Sequence, residues 1–523
     1  MLSRELLAQR FPTSMRLSAK NLLIVLISSG ILIFSLLYLL AISTYWNITP
    51  DSAMYVMAGE SIANGAGYHT RSHRVPLFPP MTSLVFSLCV LLFPQSYFAL
   101  NVVVAILTLC SLLLAFILFK YELKTHHAFL IVLMSLGSTA LFLQSTLLLS
   151  EIIYLFFSLL ALVVIRLSSR ETKSLRLEIL VGITLLAACM TRIVGLALVA
   201  AMIVSILISW ATHRVRPSAV RITMLLAVVA VVSLWEYSNM HRGISYFKLF
   251  FQNEPWFEEA GYMSPVALVT RSFQNLGRSE QIVALFSNGI LEHFGYVPTL
   301  FIPLAMFFFL VGLFISLKDF RTVTPIYTAI YLWVIATWQG DEIIRHLILI
   351  LPFLLYYSFL GIEFVKDKTK SLTGPVVPAL ISAAAGCYVV AYLGFGLTHI
   401  ISAIPEQHQS PFGTYLIKYR ENYDTQRLAI WLKDHSNRGD SYVTQHADMM
   451  DIITERRGYN LPLSENPKEL LDLLRNKKIH FVLADKKKTE VQKYLLPVIA
   501  THPDEFSLIK DEKDASLYQV SLQ

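Results

Sequence analysis

Charged side chains and cysteines are both scarce in this chain of 523 residues. Asp, Glu, Lys and Arg make up 15% of the sequence, hydrophobic residues make up 55%, and the mean hydropathy is +0.56, which excludes a soluble globular protein. The four cysteines lie within apolar segments, and none has the spacing of a metal-binding motif. We therefore interpret them as buried thiols rather than as disulfides or zinc ligands: Cys89, Cys110, Cys189 and Cys387.

Several catalytic and nucleotide-binding motifs are also missing. The sequence contains no HExxH motif, no GxSxG nucleophile elbow and no glycine-rich Walker loop. It contains no internal repeat and no low-complexity tract. The missing phosphate-binding loop disfavours an enzyme that uses cytosolic nucleotides.

Long apolar runs, in contrast, are abundant. A helix needs about 20 apolar residues to cross a bilayer core about 30 Å thick, and the chain contains about eleven such runs. The pattern predicts a polytopic α-helical membrane protein. We place its helices near residues 21–44, 97–119, 127–145, 151–167, 177–191, 193–212, 219–238, 297–317, 322–338, 344–365 and 374–399.

Basic residues predict how the chain threads the membrane. Four of them precede the first apolar run, and no small-residue cleavage site follows, so this run is expected to remain as a transmembrane helix with a cytoplasmic N-terminus. Alternate connections are basic, as the positive-inside rule requires, so the net charge of +7 indicates topology rather than nucleic-acid binding. This threading requires the proline-rich run 76–95 to be interfacial or re-entrant.

Five regions then share the outer side of the membrane: the loop 45–96, the turn 145–151, the loop 239–296, the turn 339–344 and the tail after residue 400. The membrane domain comprises residues 1–402. The tail, 403–523, becomes polar and alternates helix-like with short strand-like segments, which predicts an extracytoplasmic α/β domain.

The loop 45–96 contains the first candidate for chemistry, Asp51. It follows Pro50 ahead of an amphipathic segment, so it could be a helix N-cap with no other role. The alternative is a general base, which requires a carboxylate in a partly water-excluded pocket. We favour the base because the loop is long for a simple connection and other charged groups are predicted on the same side.

The second candidate is Glu151, which is flanked by apolar runs at the start of a predicted helix. An ionisable residue in a membrane is costly and indicates function by default. Alternatively, Glu151 interacts with the helix dipole and has no further role, with Ser150 as the cap. The two interpretations are compatible.

Single cations at the outer surface are candidates for binding a phosphate. Arg345 and Arg192 are bounded by apolar helix, and Arg71 and Arg74 lie in the first outer loop. A planar guanidinium suits a phosphate, since it donates charge-assisted hydrogen bonds in pairs. The alternatives are snorkelling to lipid headgroups for the first two and a solvated loop for the others.

Substrate contacts are expected from the two long outer loops. Tyr55 belongs to the helical pattern after Asp51, and His73 to the basic cluster of the same loop. His293 lies in the loop 239–296, near an aromatic and acidic patch, Trp256–Glu259, that suits sugar recognition.

These segments together resemble the GT-C superfamily of integral-membrane glycosyltransferases, which includes the protein O-mannosyltransferases and the aminoarabinose transferase. The resembling segments occur in the usual order and are PDSAMYVMAGESIANGAGY, PLFPP, LLLSEIIYLFFSLLAL, ACMTRIVGLAL, IIRHLILILPFLLYY, AIWLKDHSNRGDSYVT and IHFVLAD. The resemblance implies transfer of a sugar from a polyprenyl-phosphate-linked donor to a lipid, glycan or protein acceptor, with inversion at the anomeric carbon. It implies catalytic roles for Asp51 and Glu151 and a phosphate site at Arg345, with Arg192 or Arg74.

Two departures from the family leave the acceptor open. The WWDYG signature of oligosaccharyltransferases is missing, and Ser52 follows Asp51 where O-mannosyltransferases have an Asp-Glu pair. Some members use a divalent cation at the acidic residues, and the sequence does not decide this. We expect no nucleic-acid partner and a multi-pass location in the bacterial inner membrane. The alternatives are a transporter or flippase of a lipid-linked glycan, which would place its charges near the bilayer midplane, and a non-catalytic scaffold whose tail binds a partner.

Overall fold

A computed structural model describes residues 19–71, 75–170, 174–213, 217–242, 245–254, 257–277, 285–288, 298–318, 322–338, 343–409, 415–416 and 423–521. The part before the tail is almost entirely helical. Its helices are α1 (Ala19–Leu40), α2 (Pro50–Ala63), α3 (Met81–Leu92), α4 (Tyr97–Phe119), α5 (Thr125–Leu136), α6 (Thr139–Ser145), α7 (Ser150–Arg170), α8 (Leu175–Thr191), α9 (Leu196–His213), α10 (Ala219–His241), α11 (Tyr246–Phe251), α12 (Pro265–Gly277), α13 (Pro298–Leu317), α14 (Val323–Thr337), α15 (Ile343–Leu347), α16 (Leu351–Thr373) and α17 (Val376–Gln407). Three short strands accompany them, β1 (Trp46–Asn47), β2 (Gln252–Glu254) and β3 (Phe257–Tyr262).

The membrane class is confirmed, but the count of eleven spans is not. Within the described residues, seven helical segments are long and apolar enough to cross a membrane, and a bent pair makes an eighth. The seven are Asn21–Leu40, Tyr97–Phe119, Ser150–Arg170, Ile193–Thr212, Ala219–His241, Ile344–Thr373 and Val376–Gln407. Helix α3 has 12 residues and so rises about 18 Å, which is less than a bilayer core.

The bent pair shows why one predicted helix is wrong. The run 127–145 is not continuous, because α5 and α6 meet at 63°. A tertiary contact fixes this break: the Asn288 side chain donates from Nδ2 to the carbonyl oxygen of Gly137 over 2.6 Å and accepts from the Thr139 amide over 2.7 Å. Gly396 of α17 lies against the same carbonyl, where an added Cβ would be only 2.0 Å away.

In the loop 45–96, helices α2 and α3 pack as a hairpin that carries Asp51. Thr49 caps α2 by accepting from the Ser52 amide, and the Ser52 hydroxyl accepts from the Thr49 amide in return. Pro50 occupies the first turn, where its fixed φ suits a helix start. Gly59 allows α3 to pack closely, since an added Cβ would lie 3.0 Å from the Ser83 carbonyl oxygen. The start of α2 is therefore held rigidly.

The tail is an α/β domain around a five-stranded sheet. Its elements are β4 (Tyr415–Leu416), α18 (Tyr423–His435), β5 (Ser441–Thr444), α19 (Ala447–Thr454), β6 (Arg457–Asn460), α20 (Pro467–Asn476), β7 (Phe481–Asp485), α21 (Leu496–Thr501), β8 (Phe506–Asp511) and β9 (Ala515–Val520). The sheet order is β6-β5-β7-β9-β8, with β5 parallel to both neighbours and β9 antiparallel to both of its own.

The tail and the membrane part share a buried interface. Strand β4 pairs in parallel with β1, Trp46 opposite Tyr415. Helix α19 packs against α2, and its buried side chains Met449, Met450 and Ile453 belong to the same hydrophobic cluster as the membrane core. The predicted domain boundary after residue 402 lies inside α17, which continues to Gln407.

Candidate active site

Asp51 lies in the first turn of α2, but Thr49 rather than Asp51 is the N-cap. The Asp51 carboxylate instead accepts a hydrogen bond at Oδ2 from the Arg345 guanidinium over 2.6 Å. Its side chain is 27% exposed. Asp51 is therefore held in place by one cation and remains accessible to a substrate.

Glu151, in the first turn of α7, is fully buried at 0% exposure. Its Oε1 atom accepts from Arg192 over 2.7 Å and also from Nε of Arg345. Its Oε2 atom has no hydrogen-bond partner among the described residues. A buried carboxylate is stable only beside compensating charge, and here two guanidinium groups supply it.

Arg345 links the two carboxylates. Its side chain donates from Nε to Glu151 and from a terminal nitrogen to Asp51, across 194 and 294 positions of sequence. A guanidinium presents its donors in a rigid fork, so the bridge fixes the distance between the two acids.

Arg192 completes the cluster where α8 ends. Its extended backbone separates α8 from the next helix, and the side chain turns to the start of α7. It donates to Ser150 Oγ over 2.9 Å and lies 3.1 Å from Nδ1 of His346. Because a guanidinium can only donate, Nδ1 of His346 must be the acceptor and hence the unprotonated nitrogen. His346 was not among the residues predicted from the sequence, although a polar ring beside Arg345 in an apolar run was a signal for it.

Aromatic side chains line one side of the acidic cluster. The Tyr55 ring lies 5.0 Å from that of Phe78, which lies 6.4 Å from that of Tyr246. Burial, together with the Asp51 charge, raises the pKa of Tyr55. Burial and the neighbouring Tyr55 raise the pKa of Tyr246 well above its usual value. Both phenols are thus hydrogen-bond donors at neutral pH. Tyr246 brings the loop 239–296 to the site and was not predicted.

Arg71, the one other predicted site residue that the structure describes, does not join this cluster. Arg71 pairs with Glu60 over 3.2 Å and is 46% exposed at the surface. His73, Arg74 and His293 lie outside the described residues.

A divalent cation does not fit these residues. Arg345 lies between Asp51 and Glu151, where a shared metal ion would have to bind, and Arg192 donates to the same Glu151 oxygen as Arg345. In the described part of the chain, no group of three or more His, Cys, Asp or Glu side chains could hold a metal ion. The positive charge beside the two acids is supplied by arginine.

Comparison with solved structures identifies the architecture. ArnT from Cupriavidus metallidurans, in the apo state, superposes with a TM-score of 0.58 at 12% identity, over 96% of this chain and 98% of that one. The archaeal oligosaccharyltransferase AglB from Archaeoglobus fulgidus, in complex with an inhibitory peptide and a dolichol-phosphate, superposes with a TM-score of 0.54 at 12% identity, over 88% of this chain and 69% of that one. The chain has the GT-C fold.

The likeness is one of structure rather than of sequence. No family model and no curated protein matches the chain by sequence. A GT-C fold nevertheless confirms, for the architecture, the resemblance drawn from the motifs. It accounts for a polytopic membrane part that is joined to a small sheet domain.

Proposed function

We propose that this protein is an inverting glycosyltransferase that moves a sugar from a polyprenyl-phosphate-linked donor to an acceptor on the outer face of the membrane. The observation that carries the proposal is the acidic cluster, in which an accessible Asp51 and a buried Glu151 are bridged by Arg345. Glu151, Arg192 and Arg345 each lie at the start of a helical segment that is long and apolar enough to cross a membrane. That placement favours an enzyme over a transporter, whose charges would line the bilayer midplane.

Unequal burial assigns different roles to the two acids. Asp51 is the catalytic base, since its carboxylate is exposed enough to reach the acceptor. Glu151 is a positioning residue: it is fully buried, and its contacts hold both arginines. This proposal modifies the pair of catalytic acids that the resemblance implies.

The donor phosphate is proposed to lie beside Arg345 and Arg192. Among solved proteins of this fold, ArnT has been crystallised with undecaprenyl phosphate. That structure superposes on 95% of this chain with a TM-score of 0.57. Two guanidinium groups suit a leaving phosphate, because preorganised donors stabilise charge that develops in the transition state.

The reaction then proceeds by a single displacement. Asp51 accepts the proton of an acceptor hydroxyl or amine as the acceptor atom bonds to the anomeric carbon. The bond from that carbon to the phosphate oxygen breaks, and polyprenyl phosphate leaves with the electron pair. Attack from the face opposite the phosphate inverts the anomeric centre, and Asp51 then loses its proton to water.

The proposal is tested by transfer assays in nanodiscs with a panel of polyprenyl-phosphate sugars and with lipid, glycan and peptide acceptors. Sugar transfer or donor hydrolysis supports it. Transport of an intact lipid-linked glycan across vesicles, with no turnover of any donor, would contradict it.

Replacing Arg345 by lysine is expected to lower kcat/KM for the donor by about 10²-fold, since lysine keeps the charge but cannot bridge two acids. Steady-state kinetics with varied donor measure the effect. Arg221→Lys is the matched control. Arg221 donates to buried Glu178, which lies at the end of α8 away from Arg192. The folded fraction of this variant should therefore keep wild-type kinetics. Equal losses in both variants would contradict a local role for Arg345.

Treatment with EDTA is expected to leave transfer unchanged, because arginine supplies the positive charge beside the two acids. Initial rates before and after chelation, and after addition of Mg²⁺ or Mn²⁺, test this. A loss of activity that a divalent cation restores would contradict it.

A further inference from the structure

In the tail sheet, the connections that leave two neighbouring strands run to opposite sides of the sheet. From β5 the chain passes to β6 on one side, whereas from β7 it passes towards β8 and β9 on the other. Strands β5 and β7 are adjacent and parallel. In open α/β sheets, ligands bind in the crevice outside the carboxyl ends of two such strands. We therefore expect the residues that follow β5 and β7 to border such a crevice.

Polar side chains occupy this position. His446 follows β5 and precedes α19, and its half-buried ring forms no cap to that helix. Lys488 and Glu490 follow β7 and are also half-buried. Lys486 pairs with Asp511, and Lys487 with Asp514, whereas Lys488 has no ion pair among the described residues. This position thus offers a cation, an anion and an imidazole that form no ion pair within the described part of the chain.

The crevice lies beside Asp51. Helix α19 begins directly after His446 and packs against α2, the helix that carries Asp51. Burial and Lys488 lower the pKa of His446, while Glu490 and Asp51 act in the opposite direction. Asp51 therefore forms an ion pair with Arg345 of the membrane part and interacts electrostatically with His446 of the tail.

We propose that His446, Lys488 and Glu490 form an acceptor subsite that holds the hydroxylated headgroup of the acceptor against Asp51. The proposal rests on the proposed function. An ammonium group, a carboxylate and an imidazole supply donors and acceptors for several hydroxyls, which suits a sugar-like headgroup rather than an apolar one. The donor phosphate lies at the arginines, so the acceptor approaches from the tail side.

The test separates the acceptor from the donor. His446→Gln and Lys488→Gln are each expected to raise KM for the acceptor by about tenfold, since each removes a hydrogen bond to the headgroup. KM for the donor and the rate of donor hydrolysis by water should remain within about twofold, because neither requires the subsite. Lys487→Gln is the matched control, an adjacent lysine that pairs with Asp514, and should behave as wild type. An unchanged acceptor KM, or an equal rise in the donor KM, overturns the subsite.

A binding measurement distinguishes failure of this subsite from failure of the proposed function. In a Cys387→Ser background, which removes a native thiol that is exposed rather than buried as the sequence predicted, His446→Cys is labelled with a polar maleimide without donor. Soluble mono- and disaccharides at high concentration are expected to slow labelling at residue 446, but not at an introduced Lys487→Cys. If no sugar slows labelling at residue 446, the subsite is overturned, even where transfer is observed. Protection without any transfer supports the subsite and counts against the glycosyltransferase.

Discussion

Replacing Asp51 by asparagine is expected to lower the rate of sugar transfer by about 10²–10⁴-fold, the usual contribution of a general base. Asparagine keeps the size of the side chain but cannot accept the acceptor's proton. Because Asp51 is partly exposed, loss of its ion pair with Arg345 should destabilise the fold by less than about 1 kcal/mol. Transfer kinetics and thermal unfolding of the same preparations measure the two effects.

Glu60→Gln is the matched control for Asp51. Glu60 lies on the same helix and pairs with Arg71 at the surface, so its loss should change neither transfer nor stability appreciably. Retention of wild-type transfer by Asp51→Asn would exclude Asp51 as the base.

Replacing Glu151 by glutamine is expected to destabilise the protein by about 3–5 kcal/mol, because it removes one partner from a buried ion-pair cluster. Arg345 would then lose the buried carboxylate that anchors its guanidinium, so it would no longer hold the Asp51 carboxylate in place. Transfer should fall as well, even in the fraction that remains folded. Thermal unfolding in detergent and the specific activity of folded protein provide the two measurements.

Glu178→Gln separates these two effects of Glu151. Glu178 is nearly as buried as Glu151 and lies in the first turn of α8, where it pairs with Arg221 of α10. The other end of α8 adjoins Arg192. Its loss should also destabilise the protein, but its folded fraction should transfer sugar normally. An unaltered melting temperature for Glu151→Gln would contradict the role of Glu151 as an anchor.

The members of the acidic cluster could be predicted because charge is costly among apolar residues. Asp51, Glu151, Arg192 and Arg345 each interrupt or border an apolar run, and charge asymmetry between loops places them on one side. Their pairing could not be predicted, since Arg345 reaches partners that local patterns do not connect to it.

Features that depend on tertiary contacts were also missed. The break between α5 and α6 depends on Asn288 and on Gly396, both distant in sequence, whereas hydropathy reports only an apolar run. Tyr246 reaches the site through α11 of the loop 239–296 and has no local signature. In the tail, the alternation of helices with short strands was predicted, because the patterns of these segments suffice without tertiary contacts.

The shared interface between tail and membrane part has a consequence for unfolding. The helix α2 carries Asp51, packs on α19 and belongs to the membrane core, so separating the tail would expose apolar side chains on both sides. The two parts should therefore melt in one cooperative transition rather than in two. A protease cut in the connection before α18 would accordingly leave the fragments associated, and the Asp51 carboxylate would keep its position for as long as the tail stays docked.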